Sequence, residues 1–194
     1  GSSQKVAPLL DIRPGQRVID ACAGAGGKTL HLSSLLENKG QLIAMDIHQY
    51  KLKNLKLRAR RAGAHNIETR LIDSNKVIKK LYGSADRVLI DAPCTGLGVL
   101  RRNPDAKWKI DNDFLDRVVA TQQEILQSYS KLVKVGGKII YATCSILPQE
   151  NDQQIEKFMS SEAGKNFSLI ESHNLYASRD HFDGFFIALL ERKT

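Results

Sequence analysis

Val88-Leu89-Ile90-Asp91-Ala92-Pro93-Cys94-Thr95-Gly96 decides how this chain is read. An apolar, β-favouring run leads straight into an acid, a proline and a cysteine. The run reads as a buried central strand. Pro93 has no N–H to give to a ladder, so the strand stops and the chain turns outward. Asp91 and Cys94 are thereby presented at the carboxyl end of a strand, where ligands bind in open α/β sheets. A second strand, Lys138-Ile139-Ile140-Tyr141-Ala142-Thr143-Cys144-Ser145, ends the same way. If the two strands are neighbours, two thiols and a carboxylate meet over one crevice.

Earlier in the chain, Arg17-Val18-Ile19-Asp20-Ala21 reads as a strand after the turn Pro14-Gly15. Cys22-Ala23-Gly24-Ala25-Gly26-Gly27-Lys28-Thr29 follows, and then a helical pattern at Leu30, Leu32, Leu35 and Leu36. Strand, glycine-rich turn and helix make a cradle for a nucleotide-like cofactor. Two familiar loops fail on spacing. A Walker A loop needs glycine where Cys22 stands, and a dinucleotide fingerprint needs glycine where Thr29 stands. The plainer alternative is a tight turn whose glycines serve close packing. Gln41–Met45 forms the next strand and ends on Asp46, placed to accept from ribose hydroxyls or to cap the following helix. A helix from about His48 to Ala62 turns Leu52, Leu55, Ala59 and Ala62 inward. Its other faces carry Lys51, Lys53, Lys56, Arg58, Arg60 and Arg61, which read first as a solvated surface. Ile67–Ile72 is a third strand, with Asp73 at its tip placed near an adenine ring.

After Cys94 comes a loop with two glycines, a proline and the pair Arg101-Arg102, the basic residues best placed for phosphate. A long helix is expected from about Asn112 to Lys134, ended by Gly136-Gly137. Pro148 opens another helix to about Ser160. Phe167–Ile170 and Phe185–Leu190 close the chain as strands. Alternating strands and helices predict a doubly wound, mostly parallel α/β sheet with an antiparallel C-terminal edge pair.

The bulk numbers narrow the class. A chain of 194 residues suits one full domain. No apolar run approaches a membrane span, and nothing at the start reads as a signal peptide. Three cysteines without CxxC spacing argue for free thiols and a reducing, cytoplasmic setting. The five histidines show no metal-ligand spacing, so no metal is expected. A net charge of +8 suits a polyanionic partner.

Together, Asp20 to Thr29, Asp91 to Gly96, Arg101 to Asp105, Tyr141 to Ser145 and Asp183 to Phe186 resemble the Sun/Fmu-type RNA cytosine-C5 methyltransferases. The Pro-Cys and Thr-Cys motifs in this order carry the resemblance, which covers nearly the whole chain. It implies a class I, Rossmann-like methyltransferase domain over residues 3–194 and S-adenosylmethionine as methyl donor. It implies a cofactor site from Cys22, Ala23, Gly24, Ala25, Gly26, Gly27, Lys28, Asp46, Asp73 and Asp91. It also implies Cys144 as nucleophile and RNA, ribosomal rather than transfer, as substrate for a monomer. Two departures stand out. The family usually carries Ala-Pro where this chain has Gly24-Ala25. Members usually have an RNA-binding segment before the first motif, and here that segment is expected to be absent.

The chemistry needs three groups besides the donor. A thiolate must add to cytosine C6, something must stabilise charge at N3, and something must assist release. Cys144, Asp91 and Cys94 fill those roles in that order, with Lys28 as the cation that favours a thiolate. Asp91 must hold a proton to donate toward N3, which requires the site to weaken its acidity. Two rivals remain open: Cys94 as nucleophile, as in the DNA cytosine enzymes, and a non-catalytic RNA-binding module that keeps the fold.

Overall fold

A computed structural model describes residues 2–100, 104–176 and 183–194. Helix α1 (Val6–Leu9) leads into β1 (Arg17–Asp20), α2 (Gly27–Leu36), β2 (Gln41–Asp46), α3 (Gln49–Arg61) and β3 (Ile67–Leu71). Then follow α4 (Asn75–Lys79), β4 (Ala85–Asp91), α5 (Asn112–Tyr129), β5 (Val133–Thr143), α6 (Asp152–Met159), β6 (Phe167–Leu175) and β7 (Phe185–Arg192). The seven strands form one sheet in the order β3-β2-β1-β4-β5-β7-β6. Strands β1 to β5 run parallel, and β7 is antiparallel to both β5 and β6. The doubly wound sheet and its antiparallel edge are as expected. The last strand inserts beside β5, which leaves β6 at the edge.

The central strands are apolar on both faces because both are covered. Val88 and Ile90 of β4 pack with Leu126, Ile155 and Phe158 on the side of α5 and α6. Leu89 packs with Leu32 and Leu36 of α2 and with Val6 and Ala7 of α1 on the other. Each such aliphatic side chain contributes about 1.5–3 kcal/mol on burial. Helix α3 packs Leu55 and Ala59 against Ala23 and Ala44. Ala62, expected to face inward, is its exposed C-terminal cap.

One boundary differs. The helix expected to run to Lys134 stops at Tyr129, and β5 begins at Val133. Gly136 and Gly137 lie inside β5. The register passes from Ala85 opposite Val133 to Arg87 opposite Lys138, so between these pairs one residue of β4, Asp86, faces four of β5. Gly136 takes φ 84°, and a Cβ on Gly137 would sit 2.8 Å from the Asp86 carbonyl oxygen. The pair makes a bulge, not a helix stop, since both residue types of signal use glycine for the same conformational freedom.

The chain order reverses between β1 and β4, so the crevice of this sheet opens above their carboxyl ends. Asp20 and Asp91 are the last residues of those strands. Above β5, Gly98 threads between two backbones. Its amide donates to the Cys144 carbonyl at 2.9 Å, and its own carbonyl accepts from Gly184 N at 2.7 Å. A Cβ there would lie 2.1 Å from the Gly184 oxygen, so backbone must move to admit one. Gly98→Ala is expected to cost about 1–3 kcal/mol, read as a fall of roughly 2–4 °C in melting midpoint for each kcal/mol. An unchanged midpoint would show that this close approach yields freely.

Candidate active site

The turn after β1 builds the left wall of the crevice. Gly24 and Gly26 take φ of 56° and 89°, a region that side chains rarely enter. A Cβ on Gly26 would meet Leu55 Cγ at 2.7 Å, so α3 lies directly under the loop. Arg58 of α3 donates to the Ala25 carbonyl at 2.7 Å. That basic residue is a strut for the loop and not merely part of a solvated face. The loop amide Gly24 N donates to Asp46 Oδ2 at 2.9 Å, and His48 N donates to Oδ1 at 2.9 Å. Asp46 thus braces both the loop and the turn before α3. Its Oδ1 also lies 3.1 Å from His48 Nδ1, while Oδ2 retains acceptor capacity.

Two cavities flank this loop. One, of about 620 Å³, is lined by Asp20, Cys22, Ala23, Gly24, Ala25, Gly26, Gly27, Lys28 and Asp91. The other, of about 180 Å³, is lined by Cys22, Gly24, Asp46, Ile47, Ile72, Asp91, Pro93, Ile125 and Tyr129. Every predicted loop residue therefore borders the same space as Asp91. Asp73 does not. It is exposed beyond the tip of β3, and its neighbour Ile72 lines the smaller cavity. Asp20, passed over as a mere strand end, is buried on the floor. Thr29 Oγ1 donates to its Oδ2 at 2.7 Å, and among the described residues its Oδ1 has no hydrogen-bond partner. Burial pushes its acid up to about 7 against the Thr29 bond. Cys22 is raised by burial and then by the charges of Asp20, Asp91 and Asp46, which makes it a packing residue and not a nucleophile.

Across the crevice, β4 and β5 bring the predicted thiols together. Cys94 Sγ and Cys144 Sγ stand 3.1 Å apart. Lys28 Nζ lies 2.6 Å from Asp91 Oδ2 and 5.6 Å from the centre of the Phe185 ring at the start of β7. Burial raises Asp91, and Lys28 opposes it by charge and hydrogen bond. About a quarter of the Asp91 side chain, 27 %, still faces the crevice, where a ligand would complete its enclosure. The two thiols move in opposite directions. The hydrogen bond from Cys94 holds Cys144 below the usual thiol range, with the Lys28 charge adding to it against burial and Asp91. The same shared proton, with burial, pushes Cys94 far up. Either sulfur could donate to the other, and the proton belongs to the pair. Lys28 favours a Cys144 thiolate, while burial and Asp91 oppose it.

Sequence reasoning missed what holds the thiols there. Glu150, just before α6, is fully buried and bonds the backbone and hydroxyl of Thr95 and the hydroxyl of Ser145. Gln122 of α5 joins Glu150 to the Pro93 carbonyl. An acid after a proline reads as ordinary first-turn helix chemistry, so the sequence carried no sign of this clamp. Arg101 and Arg102, expected to contact phosphate, lie outside the described residues. Trp108 on the same connection is 79 % exposed, with Lys107 Nζ 4.8 Å from its ring centre.

A parallel sheet reversed at this point, with a glycine turn after β1 and an acid closing β2, is the architecture of the class I methyltransferases. The chain belongs to the family described as 16S rRNA methyltransferase RsmB/F, whose model matches residues 7–191. It is 34 % identical to a probable ribosomal RNA small subunit methyltransferase B of Synechocystis, over 98 % of this chain and 46 % of that protein. The chain thus spans about half the length of the curated relatives it matches. The crystal structure of PH0851 superposes with a TM-score of 0.91 at 34 % identity, covering 98 % of this chain and 45 % of that one. NSun6 from Pyrococcus horikoshii, solved with SFG, gives 0.88 at 28 %, covering 99 % and 52 %. Among the described residues no helix is long and apolar enough to cross a membrane.

Proposed function

We propose that this chain is the catalytic domain of an enzyme that methylates C5 of a cytosine in small-subunit ribosomal RNA, with S-adenosylmethionine as donor. The observation that carries the reading is the thiol pair at 3.1 Å beside the Lys28–Asp91 pair, over a glycine-loop crevice. The names of the relatives support ribosomal RNA as the substrate, and the SFG complex of NSun6 supports the donor. A module that only bound RNA would have no use for two paired thiols beside an ammonium–carboxylate pair.

The residues present fit the donor. Asp20 offers the cavity a buried acceptor that has no hydrogen-bond partner among the described residues, and S-adenosylmethionine is cationic at its amine and its sulfonium. Asp20 and the loop from Cys22 to Lys28 would hold the methionyl part. Asp46 would take the ribose hydroxyls, Asp73 the adenine amino group, and Ile47, Ile72 and Tyr129 the adenine face. Bound there, the donor would supply an electrophilic methyl group.

The protein's part follows from its atoms. Cys144 Sγ adds to C6, and the electrons of the 5,6 double bond move toward C5 and N3. A protonated Asp91 donates toward N3. Lys28 favours the thiolate and works against burial at Asp91. C5 then takes the methyl group, and N3 returns its proton to Asp91. The S–C6 bond breaks as the C5 proton passes to Cys94, whose own proton goes to the departing Cys144 sulfur, and the ring is restored. Cys94, beside Cys144, assists this last step by returning a proton to the leaving sulfur. Arg101, Arg102 and the Trp108 loop are proposed to guide RNA into the crevice, and its setting is proposed to be the cytoplasm, where thiols stay reduced.

Methyl transfer from labelled S-adenosylmethionine to small-subunit RNA by the full-length protein, mapped to one cytosine, tests the reading. Label found on an exocyclic amine would overturn it. A second measurement isolates the donor site. Asp46→Ala is expected to weaken donor binding by about 1–3 kcal/mol, since ribose hydroxyls lose a charged acceptor. Calorimetry showing equal affinity would remove Asp46 from the site.

A further inference from the structure

The sulfurs sit on loops from two different strands, and no covalent bond joins those loops. Besides the Gly98 N to Cys144 carbonyl bond, Glu150 joins them through its side chain. Its Oε1 accepts from Thr95 N at 2.8 Å and from Gln122 Nε2 at 3.1 Å. Its Oε2 accepts from Thr95 Oγ1 at 2.7 Å and from Ser145 Oγ. Thr95 follows Cys94, and Ser145 follows Cys144. The side chain is 0 % exposed, a costly place for a carboxylate unless its lone pairs are matched. Four donors match them.

The clamp is itself braced. Tyr141 of β5 donates from its hydroxyl to the Glu150 carbonyl at 2.7 Å. Asn151 donates to the Ser145 carbonyl at 2.9 Å and accepts from Thr143 Oγ1 at 2.5 Å. Gln122 also donates to Pro93 O at 2.9 Å, which ties α5 to the same turn. These bonds hold the clamp in one rotamer, and both cysteines stay only half-buried.

We propose that Glu150 is a positioning residue for the two-thiol centre: by gripping the residues that follow Cys94 and Cys144, its carboxylate holds the sulfurs within hydrogen-bond range and keeps Cys144 reactive. The inference rests on reading Cys144 as the nucleophile. The sulfurs stand 3.1 Å apart and their hydrogen bond depends on alignment, so a loop shift of about an ångström, or a turn of one sulfur, weakens or breaks it. The role is one of grip, not of charge. Glutamine could fill it, accepting from Thr95 N and Gln122 with its oxygen and donating to the two hydroxyls with its amide.

The test reads the pH profile of Cys144 alkylation by iodoacetamide, by mass spectrometry, in folded protein without RNA. In Glu150→Ala the profile is expected to move to higher pH, with the rate at neutral pH falling about tenfold as the thiolate fraction drops. Glu150→Gln is expected to restore the wild-type profile. Thr95→Val, close in shape, removes one of the four contacts and is expected to shift the profile the same way by less. It serves as the deciding variant if Glu150→Ala does not fold. Unmoved profiles in the folded variants, or a Glu150→Gln as impaired as Glu150→Ala, overturn the proposal. Because the readout needs no methyl transfer, an intact profile contrast with inactive enzyme would count against the proposed reaction and leave the clamp standing.

Discussion

Cys94→Ala is expected to accumulate a protein–RNA complex that survives denaturant, while Cys144→Ala forms none. The asymmetry follows from one thiol attacking and the other helping the first to leave. Removing Cys144 removes the S–C6 bond, and methyl transfer should fall by several orders of magnitude, on the order of 10⁴ or more. Removing Cys94 leaves attack and methyl transfer possible but strips the sulfur of its 3.1 Å neighbour when it must depart. The geometry adds a condition. Cys94 is also the group that holds Cys144 below the usual thiol range. Cys94→Ala should therefore form its adduct slowly at neutral pH and readily a unit or two higher, about where an ordinary thiol ionises. A denaturing gel at both pH values, with the double variant as control, reads all of this. Adduct trapped in Cys144→Ala and lost in Cys94→Ala would exchange the two roles and place the nucleophile on β4.

Most of this site could be read from residue order because its parts hang from strand ends. An apolar run closed by Asp91 and Pro93 has few alternatives to a buried strand opening on a crevice, and Cys144 follows an equally apolar run. Strand adjacency could only be assumed, and the pairing of Ile90 with Tyr141 supplies it. The errors have a common cause. Gly136-Gly137 was legible as a break in regular structure, but a helix stop and a bulge use the same residues. Only the covering of Val133 by β4 decides between them. Asp73 is a different matter. It was read from a strand tip like Asp46, and β3, one strand further from the reversal point, leaves it exposed beside Ile72, which lines the smaller cavity. Glu150 and Asp20 were invisible for the opposite reason. An acid near a helix start, or at a strand end, is commonplace, and burial alone makes it unusual.

Lys28→Met is expected to move the whole pH–rate profile upward and lower its peak. Activity requires Cys144 as thiolate, so the acid limb follows that thiol where it ionises below Asp91. The Lys28 charge favours the thiolate, and without it the thiol ionises later and the acid limb moves to higher pH. The other limb follows Asp91, if the protonated acid serves N3. Burial raises Asp91, and Lys28 pulls it back. Without the ammonium at 2.6 Å, burial acts unopposed, the proton is held to higher pH, and the alkaline limb moves the same way. Loss of a preorganised charge beside the reacting ring should also cost about 10²–10³ in rate at the optimum. Lys28→Arg keeps a cation near Phe185 and Asp91, so it should shift both limbs far less. The two limbs report different residues, which makes the experiment discriminating. An acid limb that stays put would mean that Cys94 alone sets the reactivity of Cys144. An alkaline limb that stays put while the acid limb moves would mean that Asp91 works as a carboxylate throughout. The proton for N3 would then have to come from Lys28 itself.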